Sequence, residues 1–152
     1  MRRIRTVAAI ILMVCFLLSA LGCEKQAPEH EHVSIENGKV KLPLSRVDDH
    51  GVHFFTYPYQ EKNINFFIRT DGKGNLQAHF DACYSCFKYK LGYVWDKKNN
   101  QVVCIACQLG YNLDDVIWDY IGACAPINLK SHSEGEFLII EQEHLEKGER
   151  FF

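Results

Sequence analysis

Beyond residue 32 the chain alternates short apolar runs with clusters of Gly, Asp and Asn. "KVKLPL" (39–44) has the length of a strand, and Pro43 in it suggests a sheet edge, because proline cannot donate to a ladder. "DDHG" (48–51) reads as a turn. "VHFFTYPY" (52–59) and "NINFFIRT" (63–70) are rich in β-branched and aromatic residues with partial two-residue alternation, which predicts two strands. "DGKGN" (71–75) predicts a hairpin connection, since Gly, Asp and Asn tolerate the positive φ of tight turns. "LQAHF" (76–80) is the expected return strand. "LGYVW" (91–95), the turn "DKKNN" and "QVVCI" (101–105) predict a second hairpin. "LDDVIWDYIG" (113–122) predicts one or two helical turns with Val116, Ile117 and Tyr120 inward, and "EFLIIEQ" (136–142) a last strand. The expected fold is mainly β: one small antiparallel domain spanning residues 33–152.

The N-terminus has another pattern. Arg2, Arg3 and Arg5 precede an apolar run from Val7 to Leu21, the length of a signal h-region and short of the ~20 residues that span a bilayer. Ala20-Leu21-Gly22-Cys23 resembles a bacterial lipoprotein signal, with residues 1–22 as signal peptide and Cys23 as the lipidation site. An uncleaved membrane anchor is the alternative. Either reading predicts an extracytoplasmic, membrane-anchored protein, and Glu24 after the cysteine leans towards the outer membrane rather than the inner. "EKQAPEHEH" (24–32) is polar and aperiodic, so 23–32 reads as a tether, with His30 and His32 solvated. Loss of the leader removes three arginines and no acids, leaving 14 basic against 19 acidic residues and a net charge of −5. No basic patch points to nucleic acid.

Five thiols remain after Cys15 and Cys23: Cys83, Cys86, Cys104, Cys107 and Cys124. The first four form two Cys-x-x-Cys pairs with 17 residues between them, at the outer ends of the second predicted hairpin, which brings the pairs together. A Cys-x-x-Cys turn directs two sulfurs to one point, and two such turns supply four thiolates. That set suits zinc, a single iron or a [2Fe–2S] cluster. Structural disulfides are the alternative in an oxidising compartment. A thioredoxin-like reading lacks its βαβ context. Cys124 is the odd thiol: a fifth ligand, a neighbour of the ligands, or a buried small residue.

The combination "HFDACYSC…LGYVW…QVVCIACQLGYNL…IGACAPINL" resembles the FtrD-like family of bacterial membrane iron–sulfur proteins, associated with iron-uptake permease systems, from about Lys41 to Leu145. The family pattern is matched at Asp81-Ala82-Cys83 with Cys86, at Gly92-Tyr93, at Val103-Cys104 with Cys107, and at Gly122, Cys124, Pro126, Ile127 and Leu129. Ala123, Ala125 and Asn128 stand where the family has Gly, Asn and Pro. The resemblance implies an iron–sulfur cluster or iron as cofactor, with zinc as the alternative. It implies electron transfer or metal handling beside an iron permease or a redox partner, and it carries Cys124 next to the site. The arrangement of two ligand turns on a small β domain is Rieske-like or zinc-ribbon-like by analogy.

His79, four residues before Cys83, is a possible metal or neighbouring group, with a partly buried strand histidine as the plainer reading. His50 and His53 flank a turn and read as solvated, and Asp114 and Asp115 as a helix cap. No catalytic triad, phosphate loop or nucleotide fingerprint is present, so the expectation is a binding or electron-transfer protein rather than an enzyme. The contrasting expectation is a structural zinc domain serving as an adaptor for a membrane partner.

Overall fold

The computed structural model describes residues 27–114 and 124–152. In chain order the strands are β1 (Glu31–His32), β2 (Lys39–Pro43), β3 (Val52–Tyr59), β4 (Lys62–Thr70), β5 (Leu76–Cys83), β6 (Tyr93–Asp96), β7 (Gln101–Cys104), β8 (Gly110–Asn112), β9 (Pro126–Leu129), β10 (His132–Glu134) and β11 (Phe137–Glu141). A short helix, Gln142–Glu146, follows. The central sheet has five strands in the order β1-β3-β4-β5-β9. Two three-stranded sheets, β10-β11-β2 and β6-β7-β8, complete the domain. All pairings are antiparallel except β1 with β3.

Two-residue alternation decides what each face of the central sheet meets. Ile64, Phe66 and Ile68 of β4 and Ala78, Phe80 and Ala82 of β5 pack into one core with Val40, Leu42, Leu138, Ile140, Leu145 and Phe151. The intervening positions face the opposite way. There Phe67 and Cys83 join Val52, Tyr93, Val102, Cys104 and Leu113 in a second apolar cluster. Phe67 lies across from His79, and Arg69 from Gln77, so the polar side chains share this second face. Arg69, Gln77, His79 and Asp81 are all buried. A sheet face with so much buried polarity has to supply partners for it. The Arg69 guanidinium donates to the Leu113 carbonyl and, at 2.6 Å, to Gln77 Oε1. Gln77 Nε2 in turn donates to Asp71 Oδ2 at 3.1 Å. Asp71 also accepts the amides of Lys73 and Asn75, so the "DGKGN" turn and this polar chain are one construction. Burial raises the Asp71 carboxyl, but those donors outweigh it and hold it below the usual range.

The predicted strands are present at β2, β3, β4, β5, β6, β7 and β11, and Pro43 lies on an edge strand. β5 runs three residues further than expected and ends on Cys83 itself. β8, β9, β10 and the short helix were not foreseen. The end of the expected tether is docked rather than free: Glu31 and His32 pair with Phe55 and Thr56 of β3. Glu31 also meets the Arg46 guanidinium. The leader with Cys23, and all but the first two residues of the expected helix at 113–122, lie outside the described residues. Among the described residues no helix is long and apolar enough to cross a membrane.

Candidate metal centre

Three separate pieces of chain deliver the cysteines. Cys83 closes β5, where the register against β9 shifts and pairs Cys83 with Pro126. The turn that follows bends back so that the Cys86 amide points at Cys83 Sγ, 3.1 Å away. Cys104 closes β7 opposite Tyr93. Its turn is closed by the Gln108 amide on the Cys104 carbonyl at 2.8 Å and the Cys104 amide on the Leu109 carbonyl at 2.9 Å. Gln108 takes φ 61° to make that reversal, and the turn carries Cys107 inward. Cys124 comes from the segment just before β9.

The sulfurs converge. Cys83 and Cys104 Sγ are 3.9 Å apart, and Cys86 and Cys124 Sγ are 3.8 Å apart. Cys83, Cys86 and Cys124 lie within 4.8 Å of one another, as do Cys86, Cys104 and Cys107, so Cys86 belongs to both sets. All five are free thiols. A tetrahedron with metal–sulfur bonds of ~2.3 Å has edges of about 3.8 Å, the spacing of the two close pairs. Burial, with neighbouring thiols adding to it, pushes the Cys86 thiol far above its ordinary value. Burial pushes Cys104 up to about 11, although the Cys107 and Ala106 amides oppose it. Cys124 is raised by its contact with Cys107 and then by burial. Burial also acts to raise Cys107, but hydrogen bonds from the Cys124 thiol and the Leu109 amide win, and it lies below the ordinary value. Crowded thiols of this kind resist joint ionisation unless a cation offsets the charge, which couples proton release to metal uptake.

Asp81 and Tyr93 hold the three pieces in place. Asp81 is buried two residues before Cys83, and its Oδ1 accepts the Tyr93 amide at 2.6 Å. Gly92 makes room for it: a Cβ there would sit 2.5 Å from the carboxylate, and its φ of +69° also favours glycine. The other oxygen meets His30 Nε2 at 2.8 Å. Burial raises the Asp81 carboxyl, against the opposing pull of His30 and the Tyr93 amide. The Tyr93 ring is fully buried against Phe67, and its hydroxyl donates to the Cys124 carbonyl at 2.5 Å. One tyrosine thus ties β5, its own hairpin and the Cys124 segment together.

The metal-capable groups among the described residues consist of cysteines alone, so Cys83, Cys86, Cys104 and Cys107 are brought together, Cys124 joins them, and His79 does not. The His79 ring lies tilted against Phe67, their centres 5.3 Å apart, and burial, helped by Arg69, lowers its pKa to about 3. His53 pairs with Asp49 at 2.7 Å, and His32 is exposed in β1. Asp114 accepts from Asn100, while Asp115 lies outside the described residues. Sequence reasoning missed His30, Asp81 and Tyr93 as parts of the site. Asp81 and Tyr93 stood in the motifs already, but only the fold shows that one accepts from the other.

A protein-family model described as "Membrane iron-sulfur containing protein FtrD-like" matches residues 47–152. Comparison with curated proteins and with solved structures gives no match.

Proposed function

The chain belongs to the FtrD-like family of membrane iron–sulfur proteins, and from that premise we propose that its cysteines bind an iron or iron–sulfur centre that passes electrons or metal at a membrane. The observation that carries this reading is the convergence of five free thiols from three segments, with Cys86 common to both sets of three. The donor set fits the group: sulfur alone, partly buried, and without a competing carboxylate or imidazole among the ligand atoms. Cys83, Cys86, Cys104 and Cys107 supply four ligands in this reading. Cys124 stands close enough to serve as a ligand in place of one of them.

Such a centre supplies a one-electron couple when bound. The chain's own residues do the rest. Asp81 and Tyr93 fix the two turns and the Cys124 segment relative to one another, and Phe67, Val102 and Leu113 keep one side of the sulfurs dry. A dry side and amide donors to sulfur are the protein's means of setting a potential.

We place the protein on the extracytoplasmic side of a membrane, anchored through Cys23 as a lipoprotein. The apolar run ending at Gly22-Cys23 supports this, as does the family description. Its partner in this reading is an iron permease system or a redox protein beside it. The test is iron, zinc and sulfide analysis with a visible absorption spectrum, on protein purified anaerobically from its own membranes. Iron with thiolate-to-iron charge-transfer bands is the expected result. A colourless protein with one zinc would replace this reading with a structural zinc adaptor.

A further inference from the structure

The described residues leave five large apolar side chains exposed: Tyr84, Tyr89, Leu91, Leu109 and Phe137. Phe137 lies on β11, in the sheet without cysteines. The other four sit on the two cysteine turns. Tyr84 lies between Cys83 and Cys86, Tyr89 and Leu91 follow Cys86, and Leu109 follows Cys107. Their exposure runs from 41% for Tyr84 to 58% for Tyr89. Solvent-exposed leucine and tyrosine gathered at one functional end mark a contact surface. Lys88 and Lys90 stand among them, with Lys88 Nζ 5.1 Å from the Tyr89 ring, and Arg150 lies against Phe151, which packs on Tyr84 and Phe87. Residues 83–92 contain these two lysines and no acidic residue, in a chain that is acidic overall.

The tether arrives at this same end. His30 is fixed on Asp81, whose carboxylate lies under Gly92, next to Leu91. His30 is only seven positions along the chain from Cys23, and nine from the end of the apolar run at Leu21. Fully extended, seven residues reach about 25 Å. A chain anchored at either point therefore keeps the cysteine turns near the bilayer, whichever way the leader is processed.

We propose that the cysteine turns themselves seat on the lipid surface, with Tyr84, Tyr89, Leu91 and Leu109 in the headgroup region and Lys88 and Lys90 on anionic headgroups. Tyrosine, leucine and lysine together are the composition that binds membrane interfaces. The occupant is an anionic phospholipid surface. Docking places the sulfur centre at the membrane interface, within reach of a membrane-embedded donor or acceptor. This inference rests on the membrane-anchored reading above.

The experiment uses the full chain with Tyr89, or in parallel Phe137, replaced by photoreactive benzoylphenylalanine. Each protein is reconstituted into phosphatidylethanolamine vesicles with and without phosphatidylglycerol, floated, and irradiated. The expected result is a phospholipid adduct at position 89, several-fold above that at position 137 and stronger with phosphatidylglycerol. Lys88→Glu with Lys90→Glu should reduce the adduct, since each basic group at an anionic surface is worth about fivefold in binding. A chain that floats with the vesicles but gives no lipid adduct at position 89 overturns the docking and leaves the anchor standing. Equal adducts at positions 89 and 137 overturn it as well. In native membranes, an adduct of position 89 with a protein in place of lipid also overturns it. A chain that does not float with the vesicles overturns both the anchor and the docking.

Discussion

The Tyr93 hydroxyl donates to the Cys124 carbonyl at 2.5 Å, from a ring that is fully buried. This bond joins the β6–β7 hairpin to the segment that leads into β9. Cys124 is the cysteine outside the two Cys-x-x-Cys pairs, and this bond holds its backbone.

Tyr93→Phe keeps the ring and removes the donor. It should cost about 1–3 kcal/mol of stability, because the carbonyl loses its partner in a partly buried place. Metal affinity should fall by ~10–100-fold, the usual size of an effect on groups that support ligands. Chemical denaturation and competitive metal titration measure the two separately. Unchanged metal affinity would show that the Cys124 segment keeps its position without Tyr93.

Gly92→Ala tests the Asp81 seat. The added methyl would meet the carboxylate at 2.5 Å in a backbone conformation that disfavours it. The expected loss is about 2–4 kcal/mol, combining the φ penalty with overpacking. Removing the opposing group as well, with Asp81→Ala, should recover part of the steric share in a double-mutant cycle. Strict additivity of the two changes would contradict the close contact.

Cys124→Ala separates a ligand or near neighbour from a bystander. Its sulfur lies 3.8 Å from Cys86 Sγ, so the substitution should lower metal affinity at least ~10-fold. Cys104→Ala, measured beside it, should abolish the centre. Titration with cobalt, read by its thiolate absorption, gives both values, and a Cys124→Ala protein that binds like wild type assigns that cysteine no part in the site.

His79 gives the fold an acid limb. Its pKa is lowered to about 3 from an ordinary value near 6.5, so the unfolded chain binds a proton that the folded chain refuses. Its contribution is intact above pH ~6.5 and is lost as pH falls towards 3. By pH 5 the loss from this group should reach about 2 kcal/mol, at 1.36 kcal/mol per unit. His79→Gln should show a shallower decline between pH 6.5 and 5 in denaturation experiments. An identical slope would place the acid sensitivity elsewhere.

The strands that alternation predicts best are those that form the central sheet. β3 and β4 carry side chains for two apolar clusters at once, and the "DGKGN" turn marks where the chain reverses. The pairing of the cysteines was legible because it depends on local turns and one hairpin. β8 and β10 have three residues each, too few to display a period, and the closing helix has five. His30 was unreadable for another reason. Its neighbours "EHEH" have the composition of a tether, and only the fold brings a buried carboxylate from 51 residues away to meet it. Asp81 and Tyr93 could be seen as motif positions, but their bond needs the positive φ of Gly92 between them.

The proposed iron centre is held by sulfur from these cysteines and by nothing else from the chain. Iron K-edge X-ray absorption on anaerobically purified native protein tests it most directly. The expected spectrum is that of iron with a first shell of sulfur only. That signal should be diminished in Cys124→Ala and missing in Cys83→Ser and Cys104→Ser. A first shell of nitrogen or oxygen, or native protein that carries no iron while Cys83, Cys86, Cys104 and Cys107 are joined in disulfides, would contradict it.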